Sequence, residues 1–360
     1  MEIWQEGDQE LRHATSEENN NRTSVVWNRY YGTKSRREAN KVRVRYPKIL
    51  LYLIVGCIIT FLVIDYVSEY TGKAKKGFIN NNRHIQKINK REKSYYIKAN
   101  QFFESVRVKQ ANVLFKNEFS KSDSIPYCKN NNYKSSDIPY DYNFYDKYRK
   151  CKTNDVQRKC SSNYVEIHTS VYKARLCTKD VDMNPSVDYL LNCDTQDNKG
   201  CDGGYLMESL EFAKKHGYID KECWNNEMGD EKKCPAQEKL KNCRKFYLSN
   251  YCVLTDKLAI QNEIMENGPV IGQIDPYIDF LLYEEGMFDY STKDKIEGNE
   301  FIKVVGWGKE GNTEYWLVES MWGKTWGVNG LAKVIMGDKK DKISKETIAI
   351  YPAEIAKEYE

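Results

Sequence analysis

The sequence predicts an α+β chain behind a membrane-spanning helix. Val165, Ile167, Val171, Ala174 and Leu176 fall at helical spacing. Val304-Val305 and Tyr315-Trp316-Leu317-Val318 are β-branched or aromatic runs separated by Gly306, Gly308 and Gly311-Asn312, the pattern of a β-hairpin. Ile49 to Ile64 is a run of sixteen mostly apolar residues, long enough to span a bilayer with snorkelling flanks.

With 360 residues the chain has room for one domain of about 220 residues plus appendages. Charged residues make up 30% and hydrophobic ones 40%, polar for a globular protein, yet aromatics are plentiful, with 27 Tyr and 7 Trp. A net charge of +4, dispersed along the chain, excludes nucleic acid as the expected partner. Of eleven Cys, Cys57 lies in the apolar run and the other ten all follow it. An even number on one side of a span points to disulfides in an oxidising compartment. No Cys-x-x-Cys pair exists and of four His only His168 and His216 lie within residues 138–360, so neither a metal nor another cofactor is expected.

In chain order, residues 1–47 are polar and aperiodic, a disordered tail. They hold the one sequon, Asn21-Arg22-Thr23. Residues 48–67 form the signal anchor. Seven basic residues lie in the fifteen before Lys48 is passed (Lys34, Arg36, Arg37, Lys41, Arg43, Arg45 and Lys48). Residues 65–79 carry three, Lys73, Lys75 and Lys76. The positive-inside rule places the N-terminus in the cytosol and everything beyond residue 67 in a lumen or outside the cell, which leaves the sequon unused. Residues 68–137 alternate basic and aromatic residues. On their own they read as a stalk. Residues 138–360 form the main domain.

That domain opens with Ile138-Pro139, Tyr142, Tyr148 and Cys151. Gln157-Arg158-Lys159-Cys160-Ser161-Ser162-Asn163-Tyr164 follows, then Gly200-Cys201-Asp202-Gly203-Gly204, Asn267-Gly268-Pro269-Val270, Val305-Gly306-Trp307-Gly308 and Trp322-Gly323-Lys324-Thr325-Trp326-Gly327. Together these motifs resemble the papain family of cysteine peptidases, nearest to its cathepsin B branch. The first set resembles the start of the mature domain, and the second follows the spacing of the nucleophile motif. Ile88-Asn89-Lys90, Tyr95-Tyr96 and Phe102-Phe103 loosely resemble the short prosegment of that branch, which lies along the cleft, a reading level with that of a stalk. The resemblance implies a papain-like two-lobed cysteine-proteinase fold, a helical lobe beside an antiparallel β-barrel-like lobe. It also implies the bridges Cys151–Cys177, Cys160–Cys201 and Cys193–Cys234. The pairing of Cys128, Cys223, Cys243 and Cys252 stays open.

The same resemblance implies a site with four parts. Gln157 matches the oxyanion Gln, Asn163 the nucleophile, Glu300 the catalytic His and Ser320 the orienting Asn. The last three are substituted. A carboxamide is no nucleophile, because its nitrogen lone pair is delocalised into the carbonyl. Ser162 is one residue early, rotated about 100° on a helix, and His168 reads as a packing residue. Gly203 and Gly204 would line the substrate wall or form a plain turn. Trp322 is a substrate-side position that also reads, with Trp326, as a fold-holding aromatic. The stretch between Cys223 and Cys234 is short and lacks His, so dipeptide removal is not carried over.

The sequence therefore predicts a membrane-anchored cysteine peptidase homologue without activity, binding a peptide, an inhibitor or a partner protein in its cleft. The alternatives are a peptidase using atypical residues, such as a Ser320–Glu300 pair, and a structural module with a closed cleft. Glu300 is expected to be an anion facing the helix start, with Asn163 donating to it and latching the two lobes.

Overall fold

The computed structural model describes residues 50–64, 77–129, 134–153, 155–224 and 233–354. It divides into two compact units, residues 1–74 and 75–360. In the first, residues 50–64 form helix α1, with its apolar side chains exposed. Among the described residues no helix is long and apolar enough to cross a membrane. The sequon, the basic cluster and both ends of the expected 48–67 span lie outside them.

The second unit begins with helix α2 (Asn82–Asn89) and strand β1 (Tyr95–Ile97). Its helical lobe is built on α3 (Asn163–Cys177), α4 (Val187–Cys193) and α5 (Leu206–His216). The other lobe is a sheet, joined by α6 (Lys257–Asn267). Its strands are β2 (Leu248–Leu254), β3 (Val270–Ile274), β4 (Tyr283–Phe288), β5 (Glu300–Glu310), β6 (Thr313–Glu319), β7 (Leu331–Ile335) and β8 (Thr347–Pro352). The sheet order is β1-β4-β7-β6-β5-β3-β8-β2, with Tyr142–Asn143 added against β5. Only the β4–β7 pair is parallel.

Helix α3 explains how the lobes meet. Its apolar periodicity holds, but it is buried nearly all round, leaving only Lys173 and Cys177 part-exposed. Tyr164, Val165, Ile167, Val171, Tyr172 and Leu176 join one core, while Ala174 packs with Phe144, Cys151 and Val305. A helix clamped on every side needs an internal partner for each polar side chain. His168 finds Tyr218 at 2.9 Å and Ser209 at 3.1 Å, and burial lowers its pKa to about 3, so it packs as a neutral ring. Arg175 reaches the sheet lobe. It donates to Glu263 at 2.8 Å and to the carbonyls of Pro269, Ile350 and Gly268 at 2.8, 2.7 and 3.2 Å.

The predicted hairpin is β5–β6, turning at Gly311-Asn312. Gly306 and Gly308 lie within β5 rather than in its turn, because a Cβ at Gly306 would sit 2.0 Å from the Tyr142 carbonyl of the added strand.

The three bridges implied by resemblance are present, Cys151–Cys177, Cys160–Cys201 and Cys193–Cys234. The four remaining cysteines pair as Cys223–Cys243 and Cys128–Cys252. Cys128 precedes the main domain, and the last of these bridges ties residues 77–129 to β2.

Candidate active site

The site lies where the start of α3 faces the start of β5. Ser162 stands at the cap position of the helix, but its hydroxyl donates to the Glu166 carboxylate, Oε1, at 2.9 Å. The same oxygen accepts from the Arg158 amide at 3.1 Å. Asn163, fully buried, is the first helical residue. Its Nδ2 donates to Glu300 Oε1 and to the Phe301 carbonyl, both at 3.1 Å, and its Oδ1 accepts from the Phe301 amide at 2.9 Å. Both amide hydrogens and the carbonyl oxygen are therefore committed. The side chain pairs with β5 as an extra peptide unit would, and so joins the lobes.

The expected contact between Asn163 and Glu300 forms, but burial opposes the expected charge. Glu300 is fully buried, and among the described residues its Oε2 has no hydrogen-bond partner. Burial, with the Glu166 carboxyl nearby as a second cause, holds it well above the ordinary carboxylate range. Desolvation thus favours the protonated form of Glu300 and opposes the pull of the helix N-terminus. Burial likewise raises Glu166 to about 7, against the lowering bonds from Arg158 and Ser162.

Gln157 is buried beside them. Its Nε2 donates to the Cys160 carbonyl at 3.2 Å and its backbone amide to Met321 at 2.6 Å. Ser320 Oγ accepts from the Trp322 amide at 3.2 Å, and among the described residues it shares no hydrogen bond with Glu300. Trp322 is buried in an aromatic cluster. Its ring lies 5.0 Å from Phe103, 5.1 Å from Trp326 and 5.9 Å from Phe280, centroid to centroid.

The wall at Gly203 and Gly204 is occupied. Asn117–Glu118 runs parallel to Gly204–Tyr205 as a two-stranded ladder. The Lys116 carbonyl would lie 2.1 Å from a Cβ at Gly203 (φ +105°), and the Phe115 carbonyl 1.9 Å from one at Gly298 (φ +113°). Only glycine admits so close a backbone in that conformation. On the opposite side the Asn299 amide donates to Phe115 O at 3.0 Å, and Asn299 Nδ2 to Asn117 O at 3.0 Å. Asn117, fully buried, accepts through Oδ1 from the Tyr164 amide at 3.3 Å. A cavity of about 890 Å³ flanks this segment.

Further up, the buried Asp279 collects His84 at 2.7 Å, Tyr95 at 2.8 Å and Lys93 at 3.3 Å. Burial acts to raise its carboxyl, but the bonds from His84 and Tyr95 and the charges of His84 and Lys93 leave it below the ordinary value.

Asn117, Asn299, Glu166 and Asp279 escaped sequence reasoning. Glu166 had a signal, an acid three residues after Asn163 and so on the same helix face. Asn117 and Asn299 had none, since each acts through backbone contacts that follow no period.

The sequence profile described as papain family cysteine protease matches residues 115–352. Cathepsin B-like cysteine proteinase 1 of Haemonchus contortus is 27% identical over 239 residues, covering 56% of this chain and 69% of that protein. Cathepsin B-like protease 1 of Arabidopsis thaliana is 30% identical over 201 residues, covering 50% of this chain and 52% of its own length. Among solved structures, proCathepsin B S9 from Trypanosoma congolense superposes with a TM-score of 0.66 at 23% identity, over 77% of this chain and 99% of that one. The digestive procathepsin L 3 of Tenebrio molitor gives 0.61 at 20% identity, over 76% and 87%. These structural matches bear on the fold.

Proposed function

The chain belongs to the papain family of cysteine proteases, and on that premise we propose that it is a cathepsin B-like homologue without peptide hydrolysis, its cleft serving as a binding module. The observation that carries this is the Asn163 side chain. A papain-type site needs a thiolate held by a helix N-terminus and an imidazolium, with an orienting amide behind it. Here a carboxamide fully engaged by Glu300 and Phe301 stands at the helix start. The carboxyl opposite it is fully buried, which favours its protonated form, and it is no imidazole. Ser320, the hydroxyl a rival mechanism would need, is turned to the Trp322 amide. Loss of a nucleophile alone typically costs about 10⁶ in rate.

The same proposal includes a type II anchor. The exposed apolar face of residues 50–64, the excess of basic residues on its N-terminal side and the five disulfides beyond it support a cytosolic N-terminus and a domain in an oxidising compartment.

The test is turnover of a diverse peptide library by the full-length chain in detergent, beside a variant carrying Asn163→Cys, Glu300→His and Ser320→Asn. Both carry Cys128→Ser, Cys252→Ser and an engineered cleavage site within Lys134–Asp137, so that residues 77–129 can leave. The native site should be silent and the substituted one active. Turnover by the native site, abolished by Ser320→Ala or Glu300→Gln, overturns the reading.

A further inference from the structure

Residues 112–119 of the chain itself lie in the cleft, as described above; we propose that the Cys128–Cys252 bridge turns this occupant from a removable one into a permanent, covalently held one. This deepens the binding-module reading and rests on it, since it says what keeps the cleft filled.

Three independent sets of contacts hold the segment. In the cleft, residues 115–118 pair with both walls, through Gly204–Tyr205 on one side and Asn299 on the other. Upstream, Phe102 and Phe103 cover Trp322, and Lys159 donates to the Phe102 carbonyl while standing 4.1 Å over its ring. Downstream, Glu208 gathers the amides of Lys121 and Ser122 at 2.8 and 3.2 Å and the Ser120 hydroxyl at 3.2 Å. Beyond it the chain joins β2. The Val253 amide donates to Pro126 O at 2.8 Å and the Cys128 amide to Val253 O at 2.9 Å, next to the disulfide.

The bridge changes what cleavage can do. The exposed turn Ser135–Asp137 follows the tether, between it and the main domain. A cut there would free a non-covalent occupant, but this one stays attached through Cys128. Phe119 lies nine positions before Cys128. At no more than about 3.6 Å per residue, the occupant stays within roughly 30 Å of its site, an effective concentration on the order of 10 mM. A competing peptide with the same contacts, supplied at micromolar concentration, is outcompeted by at least roughly a hundredfold.

The experiment uses the full-length chain with an engineered cleavage site within Lys134–Asp137, cut after purification. A partner preparation adds Cys128→Ser and Cys252→Ser. The probe is a fluorescent peptide of residues 112–121. After cutting, the tethered chain should run as one species on a non-reducing gel and bind the probe at least a hundredfold more weakly than the untethered chain. The untethered chain should shed its N-terminal fragment on dilution and take up the probe. Equal probe binding by the two cut chains overturns the proposal. So does separation of the cut tethered chain without reductant, a readout that needs no variant to fold. Peptide hydrolysis by either preparation would sink the non-hydrolytic reading while leaving the tether result standing.

Discussion

At its first residue the central helix α3 meets the sheet lobe through an amide and a buried acid. About three turns later it meets the same lobe through a cation, Arg175, with four hydrogen bonds to acceptors of that lobe. The first contact is unevenly satisfied. Glu300 and Glu166 each keep a buried Oε2 with no hydrogen-bond partner among the described residues. The second contact is the better stabilised of the two, and the position that resemblance marks for catalysis carries the desolvation cost. Structures tend to violate hydrogen-bond rules at functional positions, and the unpaired atoms here fall at Glu300 and Glu166, beside the position that resemblance marks for catalysis.

The contrast can be broken most readily at Arg175. Arg175→Met should destabilise the chain by about 4 kcal/mol, since it strands the buried Glu263 and three carbonyls. Denaturant melts showing less than about 1 kcal/mol would erase the difference between the two ends. Next is Glu166→Gln. The folded carboxyl titrates at about 7, above its usual 4.5, so the native state keeps a proton that the unfolded chain releases. Its stabilisation is full below pH 4.5 and is lost as pH rises through 7. The variant should therefore gain on the native chain by about 1.4 kcal/mol per pH unit across that window, roughly 3 kcal/mol in all. His168 works the other way. Its folded pKa of about 3 lies below 6.5, so its contribution grows with pH over that range. The native curve flattens where the windows overlap, and the difference between variant and native is the quantity to read.

Asn163→Ala should cost about 2 kcal/mol, because the Phe301 amide and carbonyl are left unpaired in the core. A neutral result would mean that Asn163 does not latch the lobes. Ser320→Ala should cost about 1 kcal/mol at most, the loss of one acceptor for the Trp322 amide. Thermal melts of the two variants would rank them.

Much of the fold was legible because it is periodic. The helix after Ser162 and the hairpin around Gly311 announce themselves through spacing, and resemblance supplied three disulfides. The contact between Asn163 and Glu300 was legible from aligned motifs. The charge of Glu300 was not, since it depends on burial from both lobes, which no local pattern records. Occupation of the cleft was half legible, since the segment reads equally as a stalk or as a prosegment lying along a cleft, and no pattern decides between them. It is made of short backbone pairings at residues 115–118 and of a cysteine bridge spanning 124 positions, neither of which leaves a spacing to read.

One consequence concerns the rim of the sheet. Strand β1 caps its β4 end, and the bonds of Pro126 and Cys128 to Val253 cap its β2 end. The N-terminal segment thus hems the sheet lobe on both margins. A chain stripped of residues 77–129 would present two open strand edges with unpaired amides and carbonyls, which invite pairing with other copies. Here the segment that lies in the cleft also covers both edges of the sheet, and liberating the cleft would trade a blocked groove for two open strand edges.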